Sequence, residues 1–287
     1  MLTLPAPAKL NLMLHITGRR PDGYHSLQTL FQLLDFGDTL SVEHQPGPDI
    51  DLSCSDPSLA TPENLVFRAA RALQSATDTR QGARLHLEKR LPLGGGVGGG
   101  SSDCASALLG LNHLWSLKLS SDQLAEIGVK LGADVPVFVR GCSAWAEGIG
   151  EILTAVELPE HWFVVVHPGI HVSTAELFNH PQLTRHTPVS TIRSALAGAG
   201  HNDFEPVVRS LYPGIDRAFH ELAELTSAET GPVRLSGSGS CMFIKTQSDM
   251  VARHILSSIQ GQYPDYQSFL ARGVNQSPLQ RSLAGLA

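Results

Sequence analysis

The sequence predicts an α/β protein built from two lobes, and three observations support this. A strand pattern at 85–90 leads into a glycine-rich segment and then into a helical pattern. The second half alternates helical patterns with short strands around a strongly apolar strand at 162–166. A chain of 287 residues is also long enough to bury more than one core. We place the lobe boundary near Pro159, which gives domains at 1–158 and 159–287.

The composition is that of an ordinary soluble globular protein, with 42% hydrophobic and 17% charged residues. The net charge is −6 and the lysines and arginines are scattered, so we expect no nucleic-acid partner. No apolar run is long enough to cross a bilayer, and the N-terminus lacks the pattern of a signal peptide. The four cysteines are far apart, which is typical of free thiols in a reducing cytoplasm. We therefore expect a cytoplasmic protein without a membrane partner.

The first strand is predicted at 7–16, where alternation places Lys9 and Asn11 on the same face. This face is either solvated or functional, and we expect His15 to lie at the surface. The turn at 21–23 follows, because its Pro-Asp-Gly sequence favours a chain reversal. Tyr24 and His25 emerge directly from this turn, either as binding groups on a loop or as cover for the core edge.

Two more strands are predicted at 39–43 and 50–54, and a helix is predicted to open with Thr61 as its N-cap. An apolar stripe supports that helix, formed by Leu65, Val66, Ala69, Ala70 and Leu73.

The glycine-rich segment at 92–102 is the most unusual stretch, with six glycines in the seven positions 94–100. A strand, a glycine loop and a helix N-terminus together present backbone N–H groups to an anion. A Walker A loop is excluded because Ser101 occupies the lysine position. A dinucleotide-binding fingerprint does not fit either. It requires a second strand that ends in an acidic residue about 20 positions further on, and the sequence predicts the start of a helix there instead. A flexible hinge is the remaining alternative, and a phosphate-binding loop of a third type is favoured.

A capping box is predicted at 120–123, opening a helix that Gly132 closes. Asp134 follows in apolar surroundings, just before Pro136. A buried carboxylate needs a partner, so Asp134 is either a helix N-cap or a catalytic carboxylate paired with a cation. Lys9 is the best candidate for that cation.

The remaining elements follow in order. Strands are predicted at 142–147 and 151–154, helices at 174–178, 203–211 and 216–225, and a strand at 241–244. A second glycine-serine segment at 235–240 precedes that last strand, and it is either a tight turn or a further ligand-binding loop.

Three segments together resemble the ordered motifs of the GHMP small-molecule kinases, and they lie at 7–12, 93–102 and 235–240. Segments at 20–25, 132–138 and 273–279 resemble the narrower branch of that family that serves the non-mevalonate isoprenoid pathway. The likeness spans residues 4–280, and the combination is much more specific than any single motif.

The resemblance implies a two-lobed GHMP kinase fold with the active site between the lobes. The N-terminal lobe is expected to resemble domain 2 of ribosomal protein S5, and the C-terminal lobe to be α/β. The implied reaction moves a phosphoryl group from ATP, with Mg²⁺, to a hydroxyl of a small molecule that carries a cytidine diphosphate group. A monomer or weak homodimer is expected, and no residue is assigned to the metal.

The resemblance also assigns site residues. Lys9 and Asp134 match the catalytic pair, with Asp134 as the base that accepts the hydroxyl proton. The implied substrate-binding residues are Asn11, Tyr24, His25, Thr174 and Phe178, with Tyr24 and Phe178 stacking on the cytosine. The implied ATP-binding residues are Asn64, Leu65, Lys89, Pro92, Leu93, Gly94, Gly95, Gly96, Val97, Gly98, Gly99, Gly100, Ser101 and Ser102.

Other functions fit less well. Another GHMP kinase, acting on homoserine, mevalonate or a sugar, is the nearest alternative. A Rossmann oxidoreductase requires the fingerprint that fails above. A non-catalytic relative is disfavoured because Lys9 and Asp134 are both present.

Overall fold

The computed structural model describes residues 1–285, in which ten strands form a mixed sheet. The strands are β1 (Leu2–Arg19), β2 (His25–Gln45), β3 (Ile50–Cys54), β4 (Gly82–Glu88), β5 (Ala144–Glu147), β6 (Ile152–Ala155), β7 (Trp162–His167), β8 (Arg234–Leu235), β9 (Met242–Thr246) and β10 (Gln267–Val274). The main order is β3-β4-β2-β10-β7-β9-β8, with β1 and β5 also paired to β2, and β6 paired to β5. The predicted α/β class is confirmed.

Helices cover the sheet. They are α1 (Leu65–Thr77), α2 (Gly99–Leu114), α3 (Ser121–Val129), α4 (Val135–Arg140), α5 (Thr174–Asn179), α6 (Ile192–Leu196), α7 (Glu205–Leu211), α8 (Pro213–Ala223), α9 (Asp249–Gln262) and α10 (Pro278–Ala284). None of the helices between residues 1 and 285 combines the length and apolar character that crossing a membrane requires.

Strand β2 connects the two halves of the molecule, because its 21 residues pair with four other strands. It runs antiparallel to β1, where Lys9 lies opposite Leu33. It also pairs with β4, β5 and β10, and Gly273 of β10 lies opposite Leu34. The sheet is therefore continuous across both halves.

Two main cores lie on this sheet and a third cluster joins them. Helices α1 to α4 bury their apolar residues in the first core, and helices α5 and α7 to α9 bury theirs in the second. Val97 of the glycine loop packs with Phe163 and Cys241 in the joining cluster. Leu14 of β1 contributes to the second core and Leu279 of α10 to the first, so both chain ends cross between the halves. The boundary at residue 158 remains a prediction.

Most predicted elements match the structure closely. Strand β3 has the predicted bounds, and Ser120 and Gln123 form the predicted capping box of α3. The predicted sequence of strand, glycine loop and helix corresponds to β4, the loop and α2. The sequence patterns did not predict helices α6, α9 and α10 or strand β10, and they predicted only residues 39–43 of β2. The four cysteines are free, as predicted, with Cys104 and Cys241 buried.

Two sequence-based expectations are wrong. Thr61 does not cap α1; the helix begins three residues after the predicted start, and the side chain of Asn64 accepts the hydrogen bond from the backbone N–H of Val66. His15 is buried rather than exposed, with its ring centroid 4.6 Å from that of His201. The physical reason is that the segment around His201 bonds along β1, where the backbone N–H of Leu14 donates to the His201 carbonyl.

We predict that Phe163→Ala lowers the free energy of unfolding by about 3–5 kcal/mol, because the side chain is fully buried in the joining cluster. Chemical denaturation measures this loss. Phe67→Ala is the matched control, since Phe67 is only partly buried at the edge of the first core. If the two variants lose the same free energy of unfolding, the joining cluster does not stabilise the contact between the two halves.

Candidate active site

The glycine loop forms one wall of a large cleft of about 670 Å³. The cleft is also lined by Asn64, Leu65, Leu87 and Lys89, which come from α1, β4 and the residues beside them. All of the ATP-binding positions proposed from the sequence line it except Ser102, which is fully buried. The structure therefore brings this predicted set together around one space.

The N-terminus of α2 faces this cleft without a side-chain cap. Gly98 is the N-cap residue and has a φ of 76°. The Phe138 ring lies so close to Gly98 that a Cβ at this position would be 2.7 Å from the ring. Gly99, Gly100 and Ser101 form the first helical turn and line the cleft. The first N–H groups of a helix have no partner within the helix, so this turn presents unpaired donors and a positive dipole end to the cleft.

The second glycine-serine segment closes onto the glycine loop. The backbone N–H of Cys241 donates to the Gly95 carbonyl at 2.9 Å, and the Ser236 hydroxyl donates to the Gly96 carbonyl at 3.0 Å. Ser236 and Ser240 are fully buried. Ser238 instead lines the cleft and hydrogen-bonds to the Thr174 hydroxyl, with 2.6 Å between the oxygens. Of these three serines, only Ser238 is placed to touch a ligand.

Lys9 of β1 is buried, with 3% of its surface exposed, and its ammonium is surrounded by acceptors. It donates to the Asn11 side-chain oxygen at 2.5 Å and to the Gly96 carbonyl at 3.2 Å. The carboxylate of Asp134 lies 3.1 Å away. A buried charge is stable only when it is paired and hydrogen-bonded, and Lys9 meets both conditions.

Asp134 stands at the N-cap position of α4, yet its side chain makes no capping hydrogen bond. It is paired with Lys9 instead, so of the two alternatives left open by the sequence the structure shows the ion pair. A third of the side chain remains exposed, which leaves carboxylate surface available to a ligand.

A second cleft, of about 290 Å³, lies on the other side of this ion pair. Lys9, Asn11, Thr29, Phe31 and Phe178 are among its lining residues. The two clefts share the residues Gly96, Ser101, Asp134, Thr174 and Ser238. The two clefts therefore meet beside the carboxylate of Asp134.

The residues proposed to bind the acceptor are partly assembled. The rings of His25 and Phe178 are stacked, with 4.8 Å between their centroids. Burial lowers the pKa of His25, and the charge of Arg185 lowers it further, so the ring is neutral near pH 7. Tyr24 is 61% exposed at the adjacent turn and does not line either cleft.

Sequence reasoning missed two residues here. Arg185 donates to the Phe178 carbonyl at 2.8 Å and to the His25 ring at 3.3 Å, and so fixes the stacked pair. Phe204 packs edge-on against Phe178 and lines the second cleft. Neither lies in a motif, so the sequence carried no local signal for them.

Lys89 holds a buried charge cluster beneath the first turn of α2. Its ammonium is paired with Asp38 and lies 2.8 Å from the carboxylate of Asp103. Burial raises the pKa of Asp103 from 3.8 to about 7, although the Lys89 charge opposes this. A Cβ on Gly99 would lie 3.4 Å from the Lys89 ammonium, so the cluster sits directly under the turn that lines the large cleft.

The chain matches two family models. Residues 64–142 match the N-terminal domain of the GHMP kinases, and residues 182–265 match the GHMP kinase C-terminal model.

Curated relatives match over nearly the whole chain. The 4-diphosphocytidyl-2-C-methyl-D-erythritol kinase of Ectopseudomonas mendocina (strain ymp) is 52% identical, covering 100% of this chain and 96% of the relative. The enzyme of the same name from Chromohalobacter salexigens is 51% identical, covering 98% of this chain and 94% of the relative.

Solved structures agree. A crystal structure of 4-(cytidine 5'-diphospho)-2C-methyl-D-erythritol kinase aligns with a TM-score of 0.80 and 33% identity, covering 95% of this chain and all of that one. A mevalonate kinase aligns with a TM-score of 0.68 at 14% identity, covering 96% of this chain and all of that one, and so shows the shared fold alone.

We predict that the free energy of unfolding of Asp103→Asn, minus that of the wild-type protein, increases as the pH rises. With its raised pKa, folded Asp103 binds more protons than the unfolded chain between pH 3.8 and about 7, so wild-type stability falls across that window. The amide can still accept from Lys89 but does not ionise. The stability advantage of the variant should be greater at pH 8 than at pH 5 by at least about 1 kcal/mol.

Thermal unfolding of the two proteins across this pH range measures the effect. Asp122→Asn is the control, because Asp122 is 74% exposed. A difference between Asp103→Asn and wild type that stays constant or shrinks with rising pH contradicts the prediction.

Proposed function

Because the chain belongs to the GHMP kinases, and within them to the 4-diphosphocytidyl-2-C-methyl-D-erythritol kinases, we propose that it phosphorylates the 2-hydroxyl of 4-diphosphocytidyl-2-C-methyl-D-erythritol with ATP. This reaction belongs to the non-mevalonate route to isoprenoid precursors. The observation that carries the proposal is the meeting of two clefts at Asp134, which is paired with the buried Lys9.

ATP occupies the large cleft in this proposal. The triphosphate lies along the glycine loop, where the uncapped first turn of α2 offers backbone donors to phosphate oxygens. Asn64, Leu65 and Leu87 line the same cleft and provide the polar edge and apolar walls that an adenine ring needs. Lys89 forms buried ion pairs with Asp38 and Asp103, and these pairs hold the glycine loop and the first turn of α2 in place.

The acceptor occupies the second cleft, with its cytidine held beside Phe178. The exposed ring of Tyr24 and the ring of Phe178 offer flat apolar faces for stacking. The ring of His25 accepts a hydrogen bond from Arg185 and stacks on Phe178, so the backbone of His25 is the group that would read the edge of the base. Asn11 is fixed by its hydrogen bonds to Lys9 and Thr29 and lines the cleft on the side of the ion pair.

Phosphoryl transfer requires positioning and charge stabilisation more than covalent chemistry from the protein. Asp134 accepts the proton of the attacking hydroxyl while the hydroxyl oxygen takes up the γ-phosphoryl group and ADP leaves. Lys9 orients that carboxylate and adds positive charge where negative charge gathers. Its own position is fixed by Asn11 and Gly96, so little reorganisation is needed during the reaction.

Mg²⁺ fits the composition of this site. Protein sites for Mg²⁺ usually contribute one or two carboxylates and leave the remaining positions to phosphates and water. The Ser101 hydroxyl, which lines the junction beside Asp134, would hold the ion against the phosphates, and the ion would neutralise phosphate charge.

A cytoplasmic location and a monomeric or weakly dimeric state complete the proposal as predictions from the sequence.

We predict that Asp134→Asn lowers kcat about 10²- to 10⁴-fold, because the amide cannot accept the hydroxyl proton. Binding of ATP and of the cytidine substrate should stay within a few-fold of wild type. Steady-state ADP release and equilibrium titration measure the two quantities. Asp122→Asn, at an exposed carboxylate, should leave both unchanged. A kcat of Asp134→Asn close to that of the wild-type enzyme would contradict the assignment of Asp134 as the general base.

We predict that Phe178→Ala and Tyr24→Ala each raise the KM for the cytidine substrate by about 5- to 150-fold, because stacking contributes about 1–3 kcal/mol. The KM for ATP should not change, because neither ring lines the large cleft. Tyr263→Ala, which alters a ring stacked on Tyr266 in the second core, is the matched control. A selective rise in the KM for ATP would place these rings at the nucleotide instead.

A further inference from the structure

A third cavity, which we name the rear cavity, lies on the opposite face of the sheet from the acceptor cleft. It has a volume of about 150 Å³ and is lined by Leu30 and Gln32, whereas the alternating residues Thr29 and Phe31 line the acceptor cleft. Successive side chains of a strand point to opposite faces, so β2 separates the two spaces. The rear cavity shares no lining residue with either proposed substrate cleft.

The interior of the rear cavity is apolar. Its walls include Leu12, Met13, Leu30, Leu158 and Ala195, most of which form a small core cluster with Trp145. A water-sized group fills about 30 Å³, so the cavity has room for roughly five such groups. This size suits a short branched or linear hydrocarbon.

Two cations line the same cavity. Arg234 of β8 donates to the Leu12 carbonyl at 3.0 Å, and Lys245 of β9 lies along Gly231. Within residues 1–285 no carboxylate oxygen forms a salt bridge with either cation, although Glu205 lies close enough to Arg234 to interact with its charge. Burial lowers the pKa of Lys245, and the charge of Arg234 lowers it further. Two half-buried positive groups therefore face one space without a salt-bridge partner in the described part of the chain, and Glu205 acts on Arg234 only at longer range.

A buried polar atom at the cavity is also unsatisfied. Gln32 is fully buried and lines the cavity, and its Oε1 has no hydrogen-bond partner within the described part of the chain. Its Nε2 donates to Ser143 and to the Val274 carbonyl, so the side chain cannot turn away without losing these bonds. Buried polar atoms normally have a partner. An ordered water in the cavity would supply the donor that Oε1 needs, because neither a hydrocarbon nor an anion can donate to it.

One of the two cations, Lys245, stands where the cavity opens to solvent. His161, Gly231 and Lys245 line both the rear cavity and an open outer cleft of about 670 Å³. Glu229 is the carboxylate that lines the outer cleft. An elongated molecule can thus place an apolar end among the leucines while its charged end remains near Lys245 and Arg234.

We propose that the rear cavity binds a small amphipathic anion, with a hydrocarbon body of about five carbons inside and a phosphate or carboxylate head between Arg234 and Lys245. The site is separate from both proposed substrate clefts. Because Leu12 directly follows Asn11 on β1, the bound molecule contacts the strand that carries Lys9.

The test is calorimetric titration of the full-length protein with pentyl phosphate, in the presence of a saturating non-hydrolysable ATP analogue that fills the large cleft. Inorganic phosphate, pentanol and pentylammonium serve as head-only, tail-only and charge-inverted probes, and hexanoate tests a carboxylate head. We expect pentyl phosphate or hexanoate to bind at least tenfold more tightly than the three comparison probes. Whichever of these two anions binds more tightly identifies the preferred head group.

Lys245→Met should weaken that binding at least tenfold, and Ala195→Leu should weaken it by filling the cavity. Lys130→Met, at an exposed lysine of the first half, is the matched control and should not alter it. The proposal is overturned if neither anion binds, if pentylammonium binds equally well, or if the ATP analogue abolishes binding. Unchanged affinity in Lys245→Met and Ala195→Leu overturns it as well. If a variant fails to fold, the relative affinities of the probes for the wild-type protein still test the proposal.

Discussion

The buried ammonium of Lys9 is the interaction on which the arrangement of the site depends. A charge removed from water must be surrounded by acceptors, and three separate segments supply them. These are Asn11 of the same strand, Gly96 of the glycine loop and Asp134 before α4. Each segment is held in place by its own contacts, so the ion pair is preorganised rather than formed on binding.

The continuous sheet makes this convergence possible. The long strand β2 carries β1 on one side and β10 on another, so the halves share one framework. The glycine loop is fixed from both halves, because it accepts a hydrogen bond from the backbone N–H of Lys9 and another from that of Cys241. Close backbone approach explains why glycine is needed at Gly96, where any Cβ would collide with the Ser236 carbonyl.

Local signals in the sequence predicted local structure well. The capping box of Ser120 and Gln123 and the strand–loop–helix around the glycines needed only neighbouring residues, and both are present. The motifs also predicted the ion pair of Lys9 with Asp134. What depends on distant segments was not predictable: His15 is covered by a segment 186 residues away, and Arg185 reaches the stacked pair of His25 and Phe178 from outside any motif. The roles of the proposed binding residues remain predictions.

In the proposed reaction, a phosphoryl donor and its acceptor meet at the carboxylate of Asp134. A crystal structure with a non-hydrolysable ATP analogue and the cytidine substrate tests this most directly. We expect the terminal phosphate beside the first turn of α2, and the acceptor hydroxyl within hydrogen-bond distance of Asp134. A terminal phosphate outside the glycine loop, or an acceptor hydroxyl remote from Asp134, would contradict the account.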